Sequence, residues 1–384
     1  MRSPRAIAAV ALVLLGACSS PPPSPALSAV WPGLAPRAQI ERWMQERGVV
    51  GLGVARIEQG QVVEQMLLGQ RSRERAEPLD ADTVLYTASL TKLAFAVLVL
   101  QLVDEGRLDL DTPIERLLPR PLPEYPEWTD LQGDARWRQL TPRLLLSHQS
   151  GLPNWRWLLD EPKLRFDHAP GTRYAYSGEG IQILQTVLEQ GLGLDLEAEM
   201  RRRLFDPLGL DRTALRWQPG FEANAADGYD LHGRLRPHAR RARVRLAGSM
   251  DSSLRDQATL WAALVRGWGL SARSRAELMA PQMPIRSRAQ FPSLRRDLDP
   301  SLADVNLAAG LGLVRFDNGD GAAWFKGGHD DFTGNFLLCL EAGQRCVLLM
   351  ANDVRAEGLF PRIATLLLGP TRMPWRWEYP DAAR

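Results

Sequence analysis

Lysine is nearly missing from this chain of 384 residues: three stand among 47 basic residues, and the rest are arginine. Wherever a plain positive charge serves, the sequence uses Arg. Histidine is scarce as well. The five present are scattered, without the spacing of a metal-ligand cluster. Neither sign of charge is in excess, with a formal net charge of +2. Two of those charges, Arg2 and Arg5, fall in a targeting segment, which leaves the rest near neutral. This excludes the basic footprint of a nucleic-acid or polyanion binder. The one basic run, Arg236 to Arg245, lacks interleaved aromatics and reads as a solvated loop or helix face. Long apolar runs are absent too. Ala6 to Leu15 and Leu93 to Val103 are each only about ten residues, too short to span a bilayer. What is present is 45% hydrophobic and 24% charged, enough for one large domain or two interleaved ones.

The first residues have the layout of a secretory signal: basic Arg2 and Arg5, then the apolar stretch to Leu15. Leu15-Gly16-Ala17-Cys18 resembles the lipobox of bacterial lipoproteins. The resemblance implies that residues 1–17 are a signal peptide, that cleavage precedes Cys18, and that Cys18 is acylated. Ser19 resembles the default residue that routes such proteins to the outer membrane, facing the periplasm. The other reading is an ordinary signal peptide with a chance Cys. Residues 18–36 are a Pro-rich tether that cannot build a core. The remaining cysteines, Cys339 and Cys346, flank Ala342-Gly343 in a hairpin pattern that sets them opposite each other. They read as a disulfide or as two buried free thiols.

No internal repeat appears. Residues 37–47 suggest a short helix, and residues 48–69 suggest two strands joined at Gly60. Residues 93–103 are apolar all round, so they form a helix buried on every side, with Gly106 at its C-terminal end. From about 107 to 305 the signals are mostly helical. Thr112-Pro113 and Thr141-Pro142 resemble helix caps followed by Pro, and residues 180–190 and 254–266 have helical spacing. Strand character returns at 310–316, 322–327, 335–340 and 346–351, and a helix follows over 358–368. The fold class is α+β. Both chain ends must complete one mainly antiparallel sheet, with a large, mostly helical insertion between them. The domain covers 37–368, and 369–384 read as a tail.

Within YTASLTK, Ser89 and Lys92 are three residues apart and share a helix face. A Ser hydroxyl needs a base to become a nucleophile. A Lys serves as that base only when its pKa falls, and Arg cannot serve at all. S-x-x-K alone is a weak signal. More residues join it: LLLSHQSGLPNW (144–155), APGTRYAYSGEG (169–180), FDPLGLDRT (205–213) and WFKGGHDDFTGNF (324–336). With these, the chain resembles the serine β-lactamase and penicillin-binding-protein superfamily, most closely its class C β-lactamase-like branch. The resemblance implies a DD-peptidase/β-lactamase-like fold and no cofactor. It makes Ser89 the nucleophile and Lys92 with Tyr176 the base system, Tyr176 donating to the leaving group. Lys326 would lower the Tyr176 pKa and attract a substrate carboxylate. The backbone N–H groups of Ser89 and His329 would form the oxyanion hole.

Two positions depart from the family pattern. Gly178 stands where the family's Y-x-N has Asn, and Gly327 stands where K-T-G has Thr; both side chains bind substrate, as do Gly328 and His329 by position. The implied activity is therefore that of an esterase or peptidase working through an acyl-enzyme on a small-molecule or peptide substrate. A true β-lactamase is one alternative. A non-catalytic peptidoglycan- or partner-binding module is another. Glu179 reads as a helix-dipole partner or a water activator. His148 reads as structural, and the His329 ring as a substrate contact or a surface group. Trp155 and Trp157 read as an acyl pocket or as core.

Overall fold

The computed structural model describes residues 34–380. The expected signal peptide, Cys18 and the expected tether up to residue 33 lie outside the described residues, as do residues 381–384. Helix α1 (Leu34–Arg47) leads into the hairpin of β1 (Gly51–Glu58) and β2 (Gln61–Ser72). Two short strands, β3 (Glu77–Pro78) and β4 (Leu85–Tyr86), precede α2 (Leu90–Asp104). The middle holds α3 (Pro142–Leu146), α4 (Gly178–Thr186) and α5 (Leu196–Met200). It continues through β5 (Gly228–Tyr229), β6 (Leu235–Arg236), β7 (Asp251–Ser252), α6 (Leu254–Val265) and α7 (Ala272–Met279). Strands β8 (Met283–Pro284), β9 (Ala308–Ala309), β10 (Val314–Asp317), β11 (Ala322–His329), β12 (Gly334–Leu340) and β13 (Arg345–Ala351) follow. Two helices, α8 (Phe360–Leu368) and α9 (Trp375–Glu378), come last.

Among the described residues, nine strands form one antiparallel sheet in the order β3-β2-β1-β13-β12-β11-β10-β9-β8. The two ends of the domain meet where β1 pairs with β13, Leu52 opposite Ala351. Alternation along the strands builds two cores. Ala55, Ile57, Leu337 and Leu348 pack with α2 and α6. Leu52, Val54, Phe336 and Leu349 pack with Ile40 of α1 and Phe360 and Ile363 of α8. Helix α2 is buried around its circumference, as its composition requires, and Gly106 follows it with φ +68°. Among the described residues, no helix is long and apolar enough to cross a membrane.

The middle is less helical than expected. Between α2 and α4, short 3₁₀ turns outnumber the single five-residue α3. Thr141 does cap α3, accepting the Leu144 N–H at 3.3 Å. The Thr112-Pro113 pair starts no α-helix. Pro113 is extended, with ψ 136°, and only a 3₁₀ turn follows at Ile114–Arg116. Asp109 Oδ1 takes the Thr112 N–H at 3.0 Å, which diverts the backbone from a helical start. In the β12–β13 hairpin, Cys339 faces Cys346 and the two form a disulfide.

Candidate active site

Ala88 turns the chain through a left-handed conformation, φ 47°, immediately before α2. Ser89 then occupies the N-cap, yet its hydroxyl makes no capping bond. It lies instead 3.0 Å from Lys92 Nζ, one helical turn on. Lys92 Nζ also donates to the Ala247 carbonyl, which leaves its remaining valence aimed at the serine. The lysine is 1% exposed, and among the described residues no carboxylate pairs with it. Burial disfavours the ammonium form, and the charge of Lys326 adds to this. The Lys92 pKa therefore falls well below the ordinary lysine value. A neutral amine in this position can accept the Ser89 proton.

Tyr176 ends the segment before α4. Ser177 caps that helix, accepting the Gly180 N–H at 2.9 Å, and its own hydroxyl donates to Pro153 O at 2.9 Å. The cap thus ties Tyr176 to the Ser150–Pro153 turn. His148 Nδ1 accepts the Ser177 N–H at 3.2 Å, and its ring packs 4.2 Å from that of Tyr176. Burial, with the charge of Lys326, keeps His148 neutral, and its ring contact and hydrogen bond position Tyr176. Glu179 is likewise structural. It receives Arg156 Nε and Nη2, each at 2.9 Å.

Strand β11 forms the opposite wall. Its pairing with β10 ends at Phe325, so Lys326 to His329 run on beyond that partner. Lys326 Nζ donates to Tyr176 Oη at 3.3 Å and to Gly327 O at 2.7 Å. The expected lowering of the Tyr176 pKa does not occur. Burial pushes the phenol upward, hydrogen bonding with Ser89 opposes this, and the charge of Glu378 raises it further. Lys326 is itself held low by burial, which weakens its influence. At Gly328 a Cβ would stand 2.6 Å from Thr87 O and 3.1 Å from Ser89 N, so only Gly lets β11 approach the start of α2. Asn335 of β12 clamps the two together, donating to Tyr86 O at 3.1 Å and Gly328 O at 2.8 Å. His329 Nδ1 lies 3.4 Å from Glu357 Oε1. Burial pushes the His329 pKa down to about 4 and the Glu357 pKa well up, so both are neutral.

Ser89, Tyr176, Gly327 and His329 line one cleft of about 540 Å³. The buried Lys92 and Lys326 flank its floor through Ser89 and Tyr176. The remaining walls are largely apolar, with Trp155, Leu158, Leu159 and Phe291.

A family model described as Beta-lactamase matches residues 37–368. The chain belongs to the Beta-lactamase family. Curated relatives include esterase EstB of Burkholderia gladioli, 29% identical over 45% of this chain and 49% of that protein. Lovastatin esterase of Penicillium rubens is 31% identical over 40% of this chain and 45% of its own length. In these matches the chain spans about half the length of the curated relatives. An octameric penicillin-binding protein homologue from Pyrococcus abyssi superposes with a TM-score of 0.70 at 19% identity, covering 91% of this chain and 79% of that one. D-alanine carboxypeptidase AmpC from Burkholderia cenocepacia superposes with a TM-score of 0.67 at 18% identity, over 87% and 97% of the two chains. These likenesses show the penicillin-binding-protein and β-lactamase fold.

Within this Beta-lactamase family site, both glycine departures are covered by another side chain. A Cβ at Gly178 would stand 2.6 Å from the ring of Trp155, which stacks on Trp157 at 4.5 Å. A Cβ at Gly327 would collide with Glu378 Oε1. Neither Glu378 nor its hydrogen-bond donor Gln290 was legible in the sequence. Glu378 falls in the stretch read as a tail, yet Met373, Trp377, Glu378 and Tyr379 are all buried. The local signal available was the cluster PWRWEY (374–379), too aromatic for a solvated tail.

Proposed function

We propose that this protein is a serine acyl-hydrolase that cleaves an ester through an acyl-enzyme on Ser89. The observation that carries this is the buried, uncharged Lys92 whose Nζ lies 3.0 Å from Ser89 Oγ. Ser89 Oγ bonds to the substrate carbonyl carbon while its proton passes to Lys92. The bond to the leaving oxygen breaks as Tyr176, kept protonated by its raised pKa, supplies a proton. The proton on Lys92 restores the phenol. Water then attacks the acyl carbon, the acid departs, and Ser89 recovers its proton. The N–H groups of Ser89 and His329 stabilise the oxyanion in both halves. The esterase names of the curated relatives support an ester as substrate. Trp155 and Glu378, standing over Gly178 and Gly327, argue against efficient β-lactam hydrolysis. A non-catalytic module would have no use for a lysine buried without a counter-charge beside a serine.

The test is labelling with a fluorophosphonate, run beside nitrocefin and short p-nitrophenyl esters. Wild type should be labelled and should turn over the esters, and Ser89→Ala should do neither. Unlabelled, inactive wild type would sink the hydrolase reading, and rapid nitrocefin turnover would make the protein a β-lactamase. We also propose that Cys18 carries a lipid anchor at the outer membrane, on the strength of Leu15-Gly16-Ala17-Cys18. Cys18→Ser should then move from the membrane fraction to the soluble fraction, and its retention in the membrane overturns the anchor.

A further inference from the structure

We propose that Glu378 is a specificity-determining residue that keeps carboxylate-bearing leaving groups out of the cleft and favours neutral or cationic ones. This rests on the reading of Ser89 as an ester-cleaving nucleophile.

Glu378 lines the same cleft as Ser89, Tyr176 and Gly327. It reaches that place from the far side of the sheet. Along β11, Trp324 joins the core of α2 and Phe325 joins the core of α1 and α8. Alternation therefore turns Lys326 and Gly328 toward α2 and position 327 toward the opposite layer. Having no side chain there, β11 has a gap, and Glu378 Oε1 occupies it. The segment that carries Glu378 lies beyond residues 37–368, the part matched by the family model.

The carboxylate is built into its position. Gln290 Nε2 donates to Glu378 Oε2 at 2.7 Å. Gln290 is fixed in turn, its Oε1 accepting Tyr174 Oη at 2.9 Å and its N–H donating to Trp377 O at 2.9 Å. Glu378 is 3% exposed, and among the described residues its Oε1 has no hydrogen-bond partner. An acceptor held this way suits a donor brought by substrate.

Charge leads to the same conclusion. Lys326 is the cation that a substrate carboxylate would seek on this wall, and Glu378 is the one group whose charge raises the Lys326 pKa. Asp330 and Asp331 line the same cleft. An anionic leaving group would therefore meet an internal carboxylate where it needs an unengaged ammonium, and like charges repel strongly in a desolvated site. A neutral alcohol loses nothing there, and an ammonium-bearing one gains.

The experiment compares phenyl, m-carboxyphenyl and m-(aminomethyl)phenyl acetates at a pH between about 7 and about 8. This lies above the Glu378 pKa that burial raises to about 7 and below the Lys326 pKa that burial lowers to about 8, so that the carboxylate is ionised and the ammonium is kept. Each kcat/KM is normalised to the ester's alkaline hydrolysis rate. Wild type should disfavour the carboxylate ester by about tenfold or more relative to the phenyl ester. Glu378→Gln, and Glu378→Ala as a second variant, should raise the carboxylate-to-phenyl ratio by about tenfold. A merely structural role would lower all three rates together and leave the ratio alone. Wild type that prefers the carboxylate ester overturns the proposal without any variant. A ratio unchanged in variants that still cleave the phenyl ester overturns it too. Failure of wild type on all three esters, with Ser89 unlabelled, overturns the hydrolase reading and this proposal with it.

Discussion

Lys92 is useful to chemistry because it is costly to the fold. Its folded pKa lies well below its ordinary value of 10.5, mainly through burial. The unfolded chain therefore binds a proton that the folded chain does not, over the whole window between those values. The penalty that Lys92 imposes is absent above pH 10.5 and grows as pH drops toward the folded pKa. Lys92→Met removes that penalty. We expect this variant to melt higher than wild type at neutral pH, with the gap narrowing as the pH approaches 10.5, while activity falls by about 10²–10⁴. Lys92→Arg should lose the same activity, because Arg cannot accept the proton. Calorimetry and ester kinetics across pH check both, and an Arg variant with full activity would remove Lys92 as the base. Ser89, Lys92, Tyr176 and Lys326 were legible because each sits in a short local pattern, and the structure brings all four together. Glu378 was not. It meets Gln290 across 88 residues of sequence, and its passage through β11 depends on a side chain that is missing.

At the scale of elements, the strands were readable from alternation and the buried α2 from its uniform apolarity. The helical reading of the middle overreached. Pro residues there lack a backbone donor and Asp side chains accept others, as Asp109 does from Thr112, so short 3₁₀ turns stand where helices were expected. The glycines are more instructive than the helices. Gly178 opens α4, and the Trp155 ring lies where its side chain would be. Gly178→Asn should therefore cost about 1–3 kcal/mol through overpacking. Replacing Trp155 by Ala in the same chain should recover part of that loss, giving a coupling energy above about 0.5 kcal/mol. Denaturant melts of the two single variants and the double variant provide the check. Strict additivity would show that the two residues do not compete for one space.

For the whole molecule, the sheet separates two cores, and residues beyond α8 close the second. Trp377 is buried there, its ring 5.9 Å from Tyr174 and 6.1 Å from Phe325. Tyr379 packs 5.7 Å from Phe336. Trp377→Ala should lower stability by about 3–5 kcal/mol, read from denaturant midpoints, and should loosen Glu378 with it. A loss below about 1 kcal/mol would mean that the segment is laid on a finished domain. The pairing of β1 with β13 has a different kind of consequence. Leu52 and Ala351 are partners about 300 residues apart, so contact order is high and loop closure must precede any gain from that pairing. A β1–β2 hairpin formed before β13 is in place has no partner along its β1 edge. A chain in that state contains Ser89 and Lys92 without β11 and Lys326 beside them, so its nucleophile should stay inert until the sheet is complete.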